Sequence, residues 1–180
     1  MKTFRTLVVV KRPQSELWRI MRDHLVDMVE KLGDIEEIRE IERSTDAGGI
    51  VHIVNQWRGR QQVPAVLRSI LKANELSWVD RNTWDAETST CSWSIEPLFL
   101  TQHIACAGRT TFASAMGGQG SRVTFEGELD LKPGLLSSLG SLEALLSGFL
   151  ESIVTTIIPR NLRNVVEAAA AFELPAAAAR

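Results

Sequence analysis

The sequence contains no tyrosine, only two cysteines, and no marked excess of charge of either sign in its 180 residues. Cys91 and Cys106 stand fifteen positions apart with no C-x-x-C spacing, which excludes a disulfide framework and a cysteine zinc motif. Lys and Arg total 20 against 22 Asp and Glu, a formal net charge of −2. Nucleic-acid binders carry a basic excess or a basic patch, so that partner class is set aside. The N-terminal apolar run, Leu7 to Val10, is too short for a signal peptide. Residues 134–158 lack Lys and Arg, but Glu143, Glu151, three glycines and five serines predict a buried helix there rather than a membrane span. A reduced cytoplasmic protein is the expectation. The three histidines, His24, His52 and His103, have no metal-ligand spacing, and no H-x-E, H-E-x-x-H or G-x-S-x-G occurs. GGQG at 117–120 lacks the Lys and the strand–loop–helix context of a phosphate loop and reads as a turn. No metal site and no cofactor are therefore expected.

What is present is ordinary globular composition: 44% hydrophobic and 23% charged. A chain of this length buries roughly 70% of its unfolded surface, enough for one real core. One domain over 1–174 and an Ala-rich tail at 175–180 are expected.

Residues 3–11 are short and β-branched, the signature of a strand. Pro13 then opens a helix in which Leu17, Met21, Leu25, Met28 and Leu32 recur at helical steps, ending at Gly33 as one bent helix or two short ones. Ile35, Ile38 and Ile41 are spaced by three, which favours a helix, whereas the following STDAGG turn and IVHIVNQW run favour a hairpin. A short amphipathic helix over 64–73 carries Val63, Val66, Leu67, Ile70 and Leu71 on one side. Strands are predicted at 76–85, 88–96, 102–115 and 121–132, the last alternating Val123, Phe125, Leu129 and Leu131 with Arg122, Thr124, Glu126, Glu128 and Asp130. From Leu142 to Phe172 the pattern is helical, with Leu146, Phe149, Ile153 and Ile157 on one face and Glu143, Ser147, Glu151 and Thr155 beside it. That helix would run about 46 Å, with a kink at Pro159. Meandering strands packed by terminal helices argue for an α+β domain.

The opening VVVKRPQSELWRIMRD, with Pro13, Glu16, Trp18 and Asp23, resembles the start of the START/SRPBCC superfamily, which includes polyketide cyclase-like and birch-pollen-allergen-like proteins. DIEEIREIERSTDAGG resembles its second strand and hairpin, which assigns 34–44 to a strand. The helix inserted at 64–73 is similar to the layout of PRELI-like phospholipid carriers. The resemblance implies a helix-grip fold, a curved seven-stranded antiparallel sheet wrapped around a long C-terminal helix with an apolar cavity between them. Small residues are expected to open that gap: Ala105, Ala107, Gly108, Ala113, Ala115, Gly127 and Gly148.

Five tryptophans stand against zero tyrosines. Trp78 and Trp84 share a strand face with Asp80 and Asn82, and Trp93 shares one with Cys91 and Ile95. Asp80 and Asn82 between tryptophans are candidate polar groups inside an apolar pocket. His52 and His103 are candidate cavity imidazoles, against the plainer reading of surface histidines, and Phe149 and Ile153 are candidate ligand contacts on the helix. The two cysteines read as buried and inert. Three functions follow. The first is binding or transport of a hydrophobic small molecule, such as a lipid, quinone or polyketide-like compound. The second is a cyclase or dehydratase in the same cavity, which requires two or more of His52, Asp80, His103 and Arg109 to converge. The third is a protein-interaction module. The 64–73 helix is either a mobile lid, whose Arg60, Arg68 and Lys72 meet an anionic head group or transiently contact a membrane surface, or a fixed cap.

Overall fold

In the computed structural model, residues 2–71, 74–98, 104–131 and 143–174 are described. Strand β1 (Lys2–Val10) leads through Pro13 into α1 (Gln14–Asp23), and a separate 3-10 turn spans Val26–Lys31, so the first helical stretch is two pieces. There follow β2 (Ile35–Thr45), β3 (Val51–Gln62), α2 (Ala65–Leu71), β4 (Glu75–Asp85), β5 (Thr90–Pro97), β6 (Ile104–Ala115) and β7 (Gly120–Leu131). The C-terminal helix comprises α3 (Glu143–Ser152), a π turn (Ile153–Ile157) and α4 (Ile158–Ala170). His103 and the tail at 175–180 lie outside the described residues.

All seven strands join one antiparallel sheet in the order β1-β7-β6-β5-β4-β3-β2. The fold is α+β, a curved sheet gripping the C-terminal helix. Bulges supply local curvature, because an extra residue on one strand bends it. One lies between Ile35 and Glu37 and another between Glu40 and Glu42, both in β2 against β3. The first resolves the isoleucine spacing: residues three apart in a regular strand face opposite sides, but the intervening bulge returns Ile38 to the side of Ile35. Both are buried, at 2% and 3% exposure, whereas Ile41 lies beyond and is exposed.

The GGQG segment forms the β6–β7 connection, with left-handed φ at Gly117 and Gly118. In β7 the expected alternation holds, with Val123, Phe125 and Leu129 buried and Arg122, Glu126, Glu128 and Asp130 outside the core. Pro159 does not break the C-terminal helix. It sits in the first turn of α4, where a missing N–H costs little, and the chain just before it widens so that Ile158 N–H reaches Ile153 O. Arg12 ties the far end of the helix down by donating from Nε to Ala170 O at 3.0 Å and from Nη2 to Phe172 O at 2.7 Å. The Ala170 carbonyl is an unpaired acceptor of the helix C-terminus and Phe172 follows just beyond it, a place where a cation is favoured. Asp34 holds Arg160 at 2.7 Å nearer the middle. Among the described residues, no helix is long and apolar enough to cross a membrane.

Candidate functional site

Between the sheet and the C-terminal helix lies a cavity of two adjoining lobes, about 150 and about 100 Å3, sharing Trp57, Asp80, Ile95, Leu162 and Val165 in their walls. The larger lobe is walled by Trp78, Ile104, Cys106 and Leu129 from the sheet and by Ile153, Ile157, Ile158 and Asn161 from the helix. The smaller is walled by Met21, Arg22 and Leu25 from the first helical stretch and by Asn55, Asn82, Trp84, Cys91 and Trp93 from the sheet.

Strand alternation places these side chains. On β4, Trp78, Asp80, Asn82 and Trp84 share the concave face, as their spacing of two dictates. Asp80 pairs across to Asn55, and Trp78 to Trp57, so β3 brings a second row, Ile53, Asn55 and Trp57, to the same face. The Trp57 and Trp78 rings stack, with centroids 5.6 Å apart and planes 16° from parallel. Trp84 meets Trp18 edge-on at 5.6 Å.

Asp80 is the carboxylate common to both lobes. Burial pushes its pKa above the usual carboxylate range, opposed by the polar side chains of Asn82, Trp57 and Asn55 nearby and by the Asn55 backbone N–H. Asn55 N–H donates to Asp80 Oδ1 at 3.2 Å. The Trp57 indole N–H lies near enough to favour the ionised form, yet completes no hydrogen bond to any described residue. Cys91 Sγ approaches Asn82 Oδ1 at 3.6 Å, so a polar thread runs from Cys91 through Asn82 and Asp80 to Asn55 inside otherwise apolar walls. Both cysteines are free and buried. Burial, then the charge of Glu128, pushes the Cys106 thiol up to about 11. Burial, then Asp80, raises Cys91 well above its ordinary value. Neither is primed as a nucleophile.

Several expected residues stand elsewhere. His52 faces away from the cavity: its Nδ1 lies 3.3 Å from Thr83 Oγ1 and its Nε2 3.7 Å from Asp46 Oδ2, on the convex face near the hairpin turn. The alternation of β3 sends Ile53, Asn55 and Trp57 inward and therefore His52 outward. Arg109 is likewise exposed. Of His52, Asp80, His103 and Arg109, two or more of which an enzyme would need in one pocket, Asp80 alone reaches the cavity among the described residues. Ile153 lines the larger lobe, whereas Phe149 packs against the core one turn earlier.

Small residues do not open the gap. Ala105 and Ala107 are exposed on the convex face, and Gly148 is exposed on the helix. Gly108 and Gly127 do face inward, but Trp93 and Phe4 occupy the space above them, with rings 6.0 Å apart. Sequence reasoning also missed Asn55, Trp57 and Asn161. The signals existed: Ile53–Asn55–Trp57 is the other parity of the strand carrying His52. Asn161 continues the four-residue step Ile153–Ile157–Asn161–Val165.

Helix α2 is docked rather than free. Val63 and Leu67 are fully buried, and Arg68 Nε donates to Val63 O at 3.0 Å. Arg60 Nε donates to Ile35 O at 3.1 Å, so both guanidinium groups are engaged within the protein. No described residue of α2 lines either lobe.

Solved structures with this architecture decide the fold. The protein TTHA0849 of Thermus thermophilus superposes with a TM-score of 0.66 at 16% identity, over 94% of this chain and 98% of that one. The ZhuI aromatase/cyclase from Streptomyces sp. R1128 gives 0.66 at 13% identity, over 94% and 92%. Ara h 8.0201 gives 0.59 at 13% identity, over 94% and 95%.

This chain has the helix-grip fold.

No protein-family model matches the helix-grip chain, and no curated protein matches it in sequence. At these identities the helix-grip likeness establishes architecture, while site chemistry must come from this chain's own residues.

Proposed function

We propose that this protein binds or carries an apolar small molecule, of lipid, quinone or polyketide-like character, in the cavity between sheet and C-terminal helix. The observation that carries the reading is the cavity itself, a concave apolar space walled by Trp57, Trp78, Trp84 and helix isoleucines with a few polar groups clustered at Asp80. Small-molecule sites have this character. A lobe of about 150 Å3 matches a cavity volume that stays dry and takes benzene when lined by aliphatic and aromatic side chains. Similarity in fold to an aromatase/cyclase supports a hydrophobic ligand in general. It also keeps the cyclase reading in view, but that chemistry needs a proton acceptor and donor in one place, and Asp80 stands without His52 or Arg109.

Native mass spectrometry of freshly purified protein tests the reading. A co-purified hydrophobic adduct, displaced by an added apolar ligand with quenching of tryptophan emission, is the expected result. An adduct-free protein whose tryptophan emission responds to no apolar ligand would remove it.

A further inference from the structure

Accepting that the cavity is a binding site, its polar groups constrain the ligand's chemistry further. Trp57 is 8% exposed and borders both lobes, and its indole N–H, a donor only, has no completed hydrogen bond among the described residues. Beside it stands the Asp80 carboxyl. Across the larger lobe, on the helix, Asn161 Oδ1 is a buried acceptor that also lacks a partner among the described residues. A buried polar atom left unpaired is costly, so a ligand that pairs these groups gains more than its apolar surface alone provides.

The donor and acceptor set is selective. A carboxylate would accept from Trp57 but would face Asp80 and the carbonyl oxygen of Asn161 without a cation. Arg22, the one cation in either wall among the described residues, is held by Asp23 through two contacts of 2.8 and 2.7 Å and lies over Trp18. An ammonium would serve the two acceptors but would leave the indole N–H unpaired and bring its own desolvation cost. A hydroxyl accepts from one side and donates on the other. We infer that the cavity selects an apolar alcohol or phenol over the corresponding acid, amine or hydrocarbon, with the ligand oxygen accepting from Trp57 Nε1 and donating to Asp80 or Asn161.

Calorimetric titration at neutral pH with 2-naphthol, naphthalene, 2-naphthoate and 2-(aminomethyl)naphthalene tests the inference on one skeleton. 2-Naphthol should bind roughly tenfold more tightly than each of the other three, as one well-made hydrogen bond in a buried site supplies. Trp57→Phe should bring 2-naphthol down to the affinity of naphthalene. Asn161→Leu, which removes an unpaired acceptor and serves if the first variant does not fold, should narrow the preference for 2-naphthol over naphthalene. Equal affinities across the series, or tighter binding of the acid or amine, would overturn the hydroxyl inference and leave the cavity reading standing. Retention of the full preference in Trp57→Phe would overturn it as well. Binding of none of the four would remove the cavity reading, and this inference with it.

Discussion

Trp93 packs over Gly108, its partner across the β5–β6 ladder, so closely that a Cβ built at position 108 would collide with the indole and with the Glu126 carbonyl oxygen. The same indole reaches over Gly127, and its Nε1 donates to Thr110 Oγ1 at 3.1 Å. The two glycines therefore seat a tryptophan that closes one wall of the cavity.

Gly108→Ala should consequently destabilise the fold by about 1–3 kcal/mol, because a rigid backbone oxygen as well as a ring must move. Chemical denaturation of the parent and variant measures it. A variant as stable as the parent would mean that the sheet yields locally at no cost. Near-ultraviolet circular dichroism should change with the displaced indole.

Asp80 gives a pH signature whose sign is fixed by burial. Its folded-state pKa is raised, so the native state binds that proton more tightly than the unfolded chain. Stability from this group is greatest below the unfolded Asp value of about 3.9 and is lost as pH rises through the native value. Asp80→Asn, which keeps an acceptor for Asn55 N–H, should raise the melting temperature at about pH 8, with the gain shrinking toward about pH 4. Asp23 titrates in the opposite sense, since hydrogen bonds from Arg22 and Arg43 outweigh its burial and hold it low. That contribution is common to both proteins and cancels in their difference. A gain that instead grows toward acid would contradict the account.

The buried thiols should be slow. With Cys106 pushed up to about 11 and Cys91 raised too, native alkylation by iodoacetamide at neutral pH should run roughly a hundredfold or more below that of the unfolded chain. Intact mass counts the labels: two after denaturation, and few before it. Fast native labelling would show that the walls holding Cys91 and Cys106 open readily.

For α2 the cap is favoured over the lid. Leu67 is fully buried, so Leu67→Ala should cost about 2–5 kcal/mol. Amide exchange over 65–71 should be slow with and without an apolar ligand. Protection that appears only on binding would restore the lid. Membrane contact through this helix rests on half-exposed Val66 and predicts weak sedimentation with anionic vesicles, unchanged by Arg68→Gln.

Local chemistry was enough to read most of the strands and helices, β2 excepted, because period-two and period-3.6 patterns are set by neighbours along the chain. β7 alternates as its residues dictate, Pro13 opens α1, and the glycines at 117–118 turn the last hairpin. The shared face of Trp78, Asp80, Asn82 and Trp84 was legible for the same reason. Which face of β3 looked inward was not, since His52 and Asn55 differ only in parity and a strand's own sequence does not say which side another layer will cover. Only packing against the C-terminal helix turned Asn55 and Trp57 toward Asp80 and His52 toward solvent. The bulge beside Ile35 likewise exists only in pairing with β3, and it is what makes a spacing of three compatible with a strand. Meeting Asn161 across the cavity required a helix distant in sequence from β3 to cross the sheet, a placement that tertiary contacts alone decide.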